Sequence, residues 1–161
     1  MSAELSVRPL DRDAFAPYGT VVERPGRAHD AEGPGWRWWA ETAGLAPTGD
    51  AYGIGFLDLE PAPLEFDWAE RHARSPEMIT ALAGDCLVYV SPADPARDAP
   101  GDFEVFRLRH GQGVILAPGV WHGAPLAAAG SAAAMVLLRE GTGAEDTAIV
   151  RFEAVPVAGS A

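Results

Sequence analysis

Glu70-Arg-His72-Ala-Arg-Ser-Pro-Glu77-Met-Ile-Thr-Ala-Leu-Ala-Gly84-Asp-Cys86-Leu-Val-Tyr-Val-Ser91 is the stretch on which the fold turns. Successive side chains of a strand leave opposite faces, so Glu70 and His72 share one face while Arg71 takes the other. Glu77 opens the next strand, Gly84 supplies a turn, and the apolar run Cys86-Leu-Val-Tyr-Val follows. If the face carrying Glu70 and His72 turns inward, a carboxylate and an imidazole reach the same interior point.

The rest of the chain reads as more of the same. Residues 21–23, 36–39, 52–59, 65–72, 77–81, 86–91, 103–109, 113–116, 133–139 and 147–153 are rich in β-branched, aromatic or alternating apolar residues. Clusters of Gly, Pro and Asp at 24–35, 47–50, 92–102 and 141–146 separate them. The segment 92–102 reads as a long hairpin loop. The best helical signal is 10–18, where Asp11 can cap about two turns that Pro17 and Gly19 then stop. Many short strands without alternating helices predict an all-β antiparallel sandwich or barrel with one short N-terminal helix, a single domain over residues 1–161.

Composition narrows the function. The chain has 161 residues, 48% hydrophobic and 22% charged, and no apolar stretch long enough to span a membrane. Its N-terminus lacks a basic and then apolar leader, and the single Cys86 cannot form an internal disulfide, so a cytoplasmic home is expected. A net charge of −11 without a basic patch argues against nucleic-acid and membrane partners. All twelve basic residues are Arg. Without Lys, Schiff-base chemistry and a lysine general base are excluded.

The spacing from Glu70 to Gly84 is that of the first cupin motif, two His, a Glu and a Gly, with Glu70 in the place of the first His. The second motif is echoed by Gly113-Val-Ile-Leu-Ala-Pro118-Gly119-Val-Trp-His122, with Gly119 one place early. The two motifs predict a cupin-like double-stranded β-helix, or jelly-roll barrel, in which Glu70, His72, Glu77 and His122 converge. Two imidazoles and two carboxylates suit a divalent transition metal (Mn, Fe, Co, Ni or Zn) better than Ca or Mg. His29 and His110 lie in loops and read as solvated surface. In Gly35-Trp-Arg-Trp-Trp39, Trp36 and Trp38 share a strand face opposite Arg37 and Trp39, a pattern that suits a subunit interface, a pocket rim or core. Arg37 and Arg71 are candidate carboxylate clamps, since guanidinium binds carboxylate bidentately.

Val7-Arg-Pro9-Leu10, Phe15-Ala-Pro-Tyr18-Gly19-Thr-Val-Val-Glu23, Glu70-Arg71-His72, Gly111-Gln-Gly113 and Val120-Trp121-His122 together resemble the ureidoglycolate lyase family, from about residue 5 to 153. The resemblance implies a cupin-like barrel, a homodimer, and cleavage of (S)-ureidoglycolate to glyoxylate and urea in allantoin breakdown. Its substrate would be a small carboxylic acid, and eliminating urea from it needs a base, an acid and a cation for the carboxylate: we expect His122 or Glu77 to move the proton, His72 to act as ligand or relay, Arg71 or Arg37 to hold the carboxylate if either turns inward, and Trp121 to lie beside the substrate. Family members carry further His residues where this chain has Ala117 and Gly123, Gln where it has Glu77, and a His-Asp pair near Trp39 and Ala40. Glu77 restores the ligand residue of the wider cupin superfamily. Two other readings therefore stay open: a metal-dependent isomerase, decarboxylase or oxygenase acting on another small acid, and a non-catalytic small-acid-binding cupin.

Overall fold

In the computed structural model, which describes residues 4–159, strands dominate and helix is confined to two short turns. The elements in chain order are β1 (Val7–Pro9), α1 (Arg12–Phe15), β2 (Gly19–Val22), β3 (Ala31–Gly33), β4 (Trp36–Trp38), β5 (Tyr52–Leu59), β6 (Glu65–Arg71), β7 (Glu77–Ala83) and β8 (Cys86–Ser91). They continue with β9 (Glu104–Leu108), β10 (Gly113–Leu116), β11 (Trp121–His122), β12 (Leu126–Ala127), β13 (Ala132–Arg139), α2 (Thr142–Glu145) and β14 (Ala148–Pro156). One sheet runs β1-β9-β8-β11-β6-β14, with β12 also on β8, and the other runs β2-β10-β7-β13-β5. The pair β3-β4 stands apart as a hairpin. All pairings between these strands are antiparallel except β1 on β9. This is the cupin-like jelly roll that the two motifs predict.

Strand β8 shows why the sheets stack. Cys86, Val88 and Val90 point between the sheets and join Ile79, Ala81, Phe106, Val114 and Leu116 in the main core. Leu87 and Tyr89, on the alternate face, join Phe66, Val105 and Trp121 in a second cluster on the other side of the larger sheet. Both faces of β8 are thus buried, and an uninterrupted apolar run is what such a strand needs. The Cys86 thiol, pushed up to about 11 by burial, is a packing group rather than a nucleophile.

The helical expectation at the N-terminus needs shortening. The Asp11 carboxylate accepts from the backbone N–H of Asp13 and Ala14 as expected of a cap, but the helix it starts lasts one turn before Phe15 drops into the core. Gly19 explains the stop: its φ is +151°, and a Cβ there would meet the Ile115 carbonyl oxygen at 1.8 Å as β2 joins β10. The segment 92–102 is the loop of the β8-β9 hairpin. One turn of helix, α2, occupies part of 141–146, read above as a bare turn cluster.

Candidate active site

Three strands and two turns bring the chemistry together at one end of the sandwich. Glu70, near the end of β6, pairs in register with His122 on β11, so their side chains start side by side. His72 follows two residues after Glu70. Glu77 opens β7 in the opposite sheet, with Leu116 and Leu138 as its cross-strand neighbours. The turn before β11 is tied to the turn after β6, since the Gly119 N–H donates to the His72 carbonyl at 2.7 Å. That bond links the two imidazole-bearing segments directly.

The structure brings all four residues together. Glu77 Oε2 lies 3.0 Å from His72 Nε2 and 3.2 Å from His122 Nε2, and Glu70 Oε1 is 4.0 Å from His72 Nε2. His72, Glu77 and His122 are buried, and Glu70 is half-buried at the cavity wall. The other ring nitrogen of each imidazole faces a backbone carbonyl: His72 Nδ1 faces Asp146 O at 3.0 Å, and His122 Nδ1 faces Val120 O at 2.9 Å. A carbonyl only accepts, so each Nδ1 carries the proton and each Nε2 is aimed at Glu77. Such anchoring is what orients a metal-ligating imidazole. Ligand atoms of Glu70, His72 and His122 all lie within 4.8 Å of one another, so this N/O donor set can hold a divalent cation.

Electrostatics follow from the same contacts. Burial disfavours the charge on Glu77, but both imidazoles outweigh it and hold the carboxyl down at about 2. Burial likewise lowers His72, yet hydrogen bonding and charge from Glu77, the Asp146 carbonyl and Glu70 leave it above the usual histidine range. Glu77 is therefore ionised and His72 inclined to hold a second proton.

Above the cluster opens a cavity of about 380 Å³. Leu57, Val136, Leu138, Ile149 and Pro125 wall it, with Glu70, His72 and Glu77 at its polar end. The candidate clamps lie elsewhere, and these assignments need correcting. Arg71 leaves the opposite face of β6, pairs with Asp98 and sits 4.8 Å over the Trp121 ring. Trp121, alternating with His122, is buried in the second core cluster. Arg37 is in the β3-β4 hairpin beside Glu32 and lines a separate surface depression with Trp36 and Trp39. No Arg lines the cavity among the described residues. His29 contacts Glu32 and His110 is exposed, both away from the cluster.

Two residues invisible to sequence reasoning support the site. The Asp146 carboxylate accepts from the backbone N–H of Ala73 and Arg74 while its carbonyl holds His72. Thr147 lines the cavity and lies 3.3 Å from His72 Nδ1. Gly123, where the resembled family carries a His, leaves no room for a side chain: a Cβ would meet the Tyr89 hydroxyl at 1.7 Å. Tyr89 is fixed there by stacking on Phe66 and donating to the Trp68 carbonyl. Ala117 is exposed and does not line the cavity.

A family model described as ureidoglycolate lyase matches residues 2–157. A ureidoglycolate lyase of Azotobacter vinelandii is 32% identical over 146 residues, covering 86% of this chain and 87% of the relative. Ureidoglycolate lyase 1 of Rhizobium meliloti is 31% identical over 149 residues, 89% of this chain and 86% of that one. Among solved structures, a 3,4-ketoisomerase of Thermoanaerobacterium thermosaccharolyticum aligns with a TM-score of 0.46 at 13% identity, over 60% of this chain and 64% of that one.

Proposed function

The chain belongs to the ureidoglycolate lyase family, and from that premise we propose that it cleaves ureidoglycolate to glyoxylate and urea. The observation that carries the chemistry is a buried carboxylate, Glu77, facing two imidazole Nε2 atoms whose Nδ1 protons are tied to carbonyls. An Nε2 lone pair that ligates cannot also carry a proton, so the four side chains divide their work. We assign Glu70, His72 and His122 to hold a divalent transition metal and Glu77 to move the proton. A cation bound there would polarise the hydroxyl and carboxylate oxygens of the substrate, in a cavity that no Arg lines among the described residues. Glu77 takes the hydroxyl proton, the carbonyl of glyoxylate forms, the carbon–nitrogen bond breaks with its pair on nitrogen, and Glu77 returns the proton to that nitrogen.

The test is metal content combined with urea release. His72→Ala and His122→Ala should each lower bound metal and turnover by orders of magnitude, because the remaining ligands do not complete the coordination sphere. Glu77→Gln should keep the metal and lose turnover, by about 10²–10⁴ if it is the proton carrier. Full turnover in Glu77→Gln, or urea release from protein that retains no metal, would remove these roles. His29→Ala and His110→Ala serve as controls.

We further propose a cytoplasmic homodimer working in allantoin breakdown. Support for self-association comes from the outer face of the smaller sheet, where Ile54 and Phe56 are 64% and 71% exposed beside Leu137 and Met135 in register. Light scattering on the wild type and on Phe56→Glu decides it: a monomeric wild type would refute the dimer.

A further inference from the structure

We propose that the cavity selects carbinolamides whose departing amide carries an apolar acyl group, that is, N-acyl-2-hydroxyglycines, over ureidoglycolate itself. The inference rests on the lyase reading above and concerns the part of the substrate that does not react. Ureidoglycolate is polar at both ends, with a carboxylate at one and a urea amine at the other. The cavity is polar at one end only.

At the polar end stand Glu70, His72 and Glu77. They suit the hydroxy-acid half, which all these substrates share. The departing half must lie against the remaining wall, made by Leu57, Val136, Leu138, Ile149 and Pro125. The one neutral polar side chain on that wall, Thr147, donates its hydroxyl to the Thr142 carbonyl at 2.9 Å and lies 3.3 Å from His72 Nδ1, so its oxygen is the one neutral side-chain acceptor there. A terminal urea NH₂ placed there would trade water for a wall that is mostly hydrocarbon, with that single neutral side-chain acceptor for its two donors. An alkyl group in the same place gains what the amine loses. The volume also exceeds what a hydroxy acid and a urea need: 380 Å³ is room for on the order of a dozen non-hydrogen atoms. Past the rim the surface stays apolar, since Ile149, which lines the opening, is 58% exposed.

The reaction balances as it does for ureidoglycolate. The hydroxyl proton leaves, the aldehyde carbonyl of glyoxylate forms, the carbon–nitrogen bond breaks, and the amide nitrogen takes its pair and a proton. The product beside glyoxylate is a primary fatty amide in place of urea. No oxidant or co-reactant is consumed.

The experiment measures glyoxylate release by the metal-reconstituted full chain from ureidoglycolate and from N-acetyl-, N-butanoyl- and N-hexanoyl-2-hydroxyglycine. Each buried methylene should raise kcat/KM about fourfold until the cavity is filled, so that the butanoyl and hexanoyl compounds surpass ureidoglycolate. Val136→Thr, nearly isosteric, and Ile149→Asn, at the exposed rim where folding is not at stake, should each flatten the rise with chain length. A flat or falling series alongside good turnover of ureidoglycolate would overturn this inference and leave the lyase reading intact, as would an unchanged slope in both variants. Glyoxylate from no substrate at all would overturn both. Turnover of the acyl series without ureidoglycolate would uphold the selectivity and replace the substrate.

Discussion

Replacing Glu77 by Gln in chelator-treated protein removes a single charge from the buried cluster while keeping the side chain's volume. In the wild type Glu77 Oε2 lies 3.0 Å from His72 Nε2 and 3.2 Å from His122 Nε2, and it is the counter-charge of His72, the imidazole inclined to hold a second proton. A glutamine keeps an acceptor oxygen but not the charge, so the buried imidazolium loses its charged partner. That loss costs ~1–3 kcal/mol. At about 2–4 °C per kcal/mol for a domain of this size, the midpoint should fall by roughly 2–12 °C. The pH dependence is more telling. Glu77's carboxyl lies below its ordinary 4.5, at about 2, so its stabilisation is present above pH 4.5 and lost as pH falls toward 2. His72 is raised above 6.5, so its stabilisation is present below pH 6.5 and lost as pH climbs through the folded-state value. The gap between wild type and Glu77→Gln should therefore be widest between 4.5 and 6.5 and narrow on either side. Thermal unfolding followed by circular dichroism, from about pH 3 to about pH 9, measures it. A gap that is constant across that range, or absent near its middle, would refute the coupling of Glu77 to the two imidazoles.

Three other outcomes follow from the geometry. Gly123→Ala places a Cβ 1.7 Å from the Tyr89 hydroxyl, so urea unfolding should show a loss of about 1–3 kcal/mol, and a neutral result would show that Tyr89 yields easily. Arg71→Ala should lose only ~0.5–2 kcal/mol from its contacts with Trp121 and Asp98 and leave KM unchanged; a KM raised tenfold would put Arg71 at the substrate after all. Titration calorimetry with Zn²⁺ in two buffers of different ionisation enthalpy, near pH 6, should show about one proton released per ion, because Nε2 must shed its proton to ligate. Binding without proton release would contradict ligation through the nitrogen that faces Glu77.

The residues differ in how legible they are. Glu70, His72 and Glu77 could be placed together because a period of two and one turn relate them, and His122 because its hairpin repeats a motif spacing. The same period also held the information that removes Arg71 and Trp121 from the cavity: each alternates with a residue that points in, and so points out. Sequence gives no such handle on Asp146, which reaches His72 from 74 residues away, nor on Val136 and Leu138, which look like any inward row of a strand. Strands β11 and β12 are two residues each, too short for any period to register. The apolar character of the cavity is legible only once β5, β13 and β14 are seen to share it.

The clasp that Asp146 places on His72, Ala73 and Arg74 has a consequence for biosynthesis. A ribosome delivers the chain from its N-terminus, and at about 5–20 residues per second the residue that orients His72 emerges roughly 4–15 s after it. Until then the imidazole has no carbonyl to set its tautomer, whatever part of the barrel has already paired. Nascent chains halted before residue 146 therefore expose Glu70, His72 and His122 without their final aim, and the proposed cation site is completed only once residue 146 has emerged.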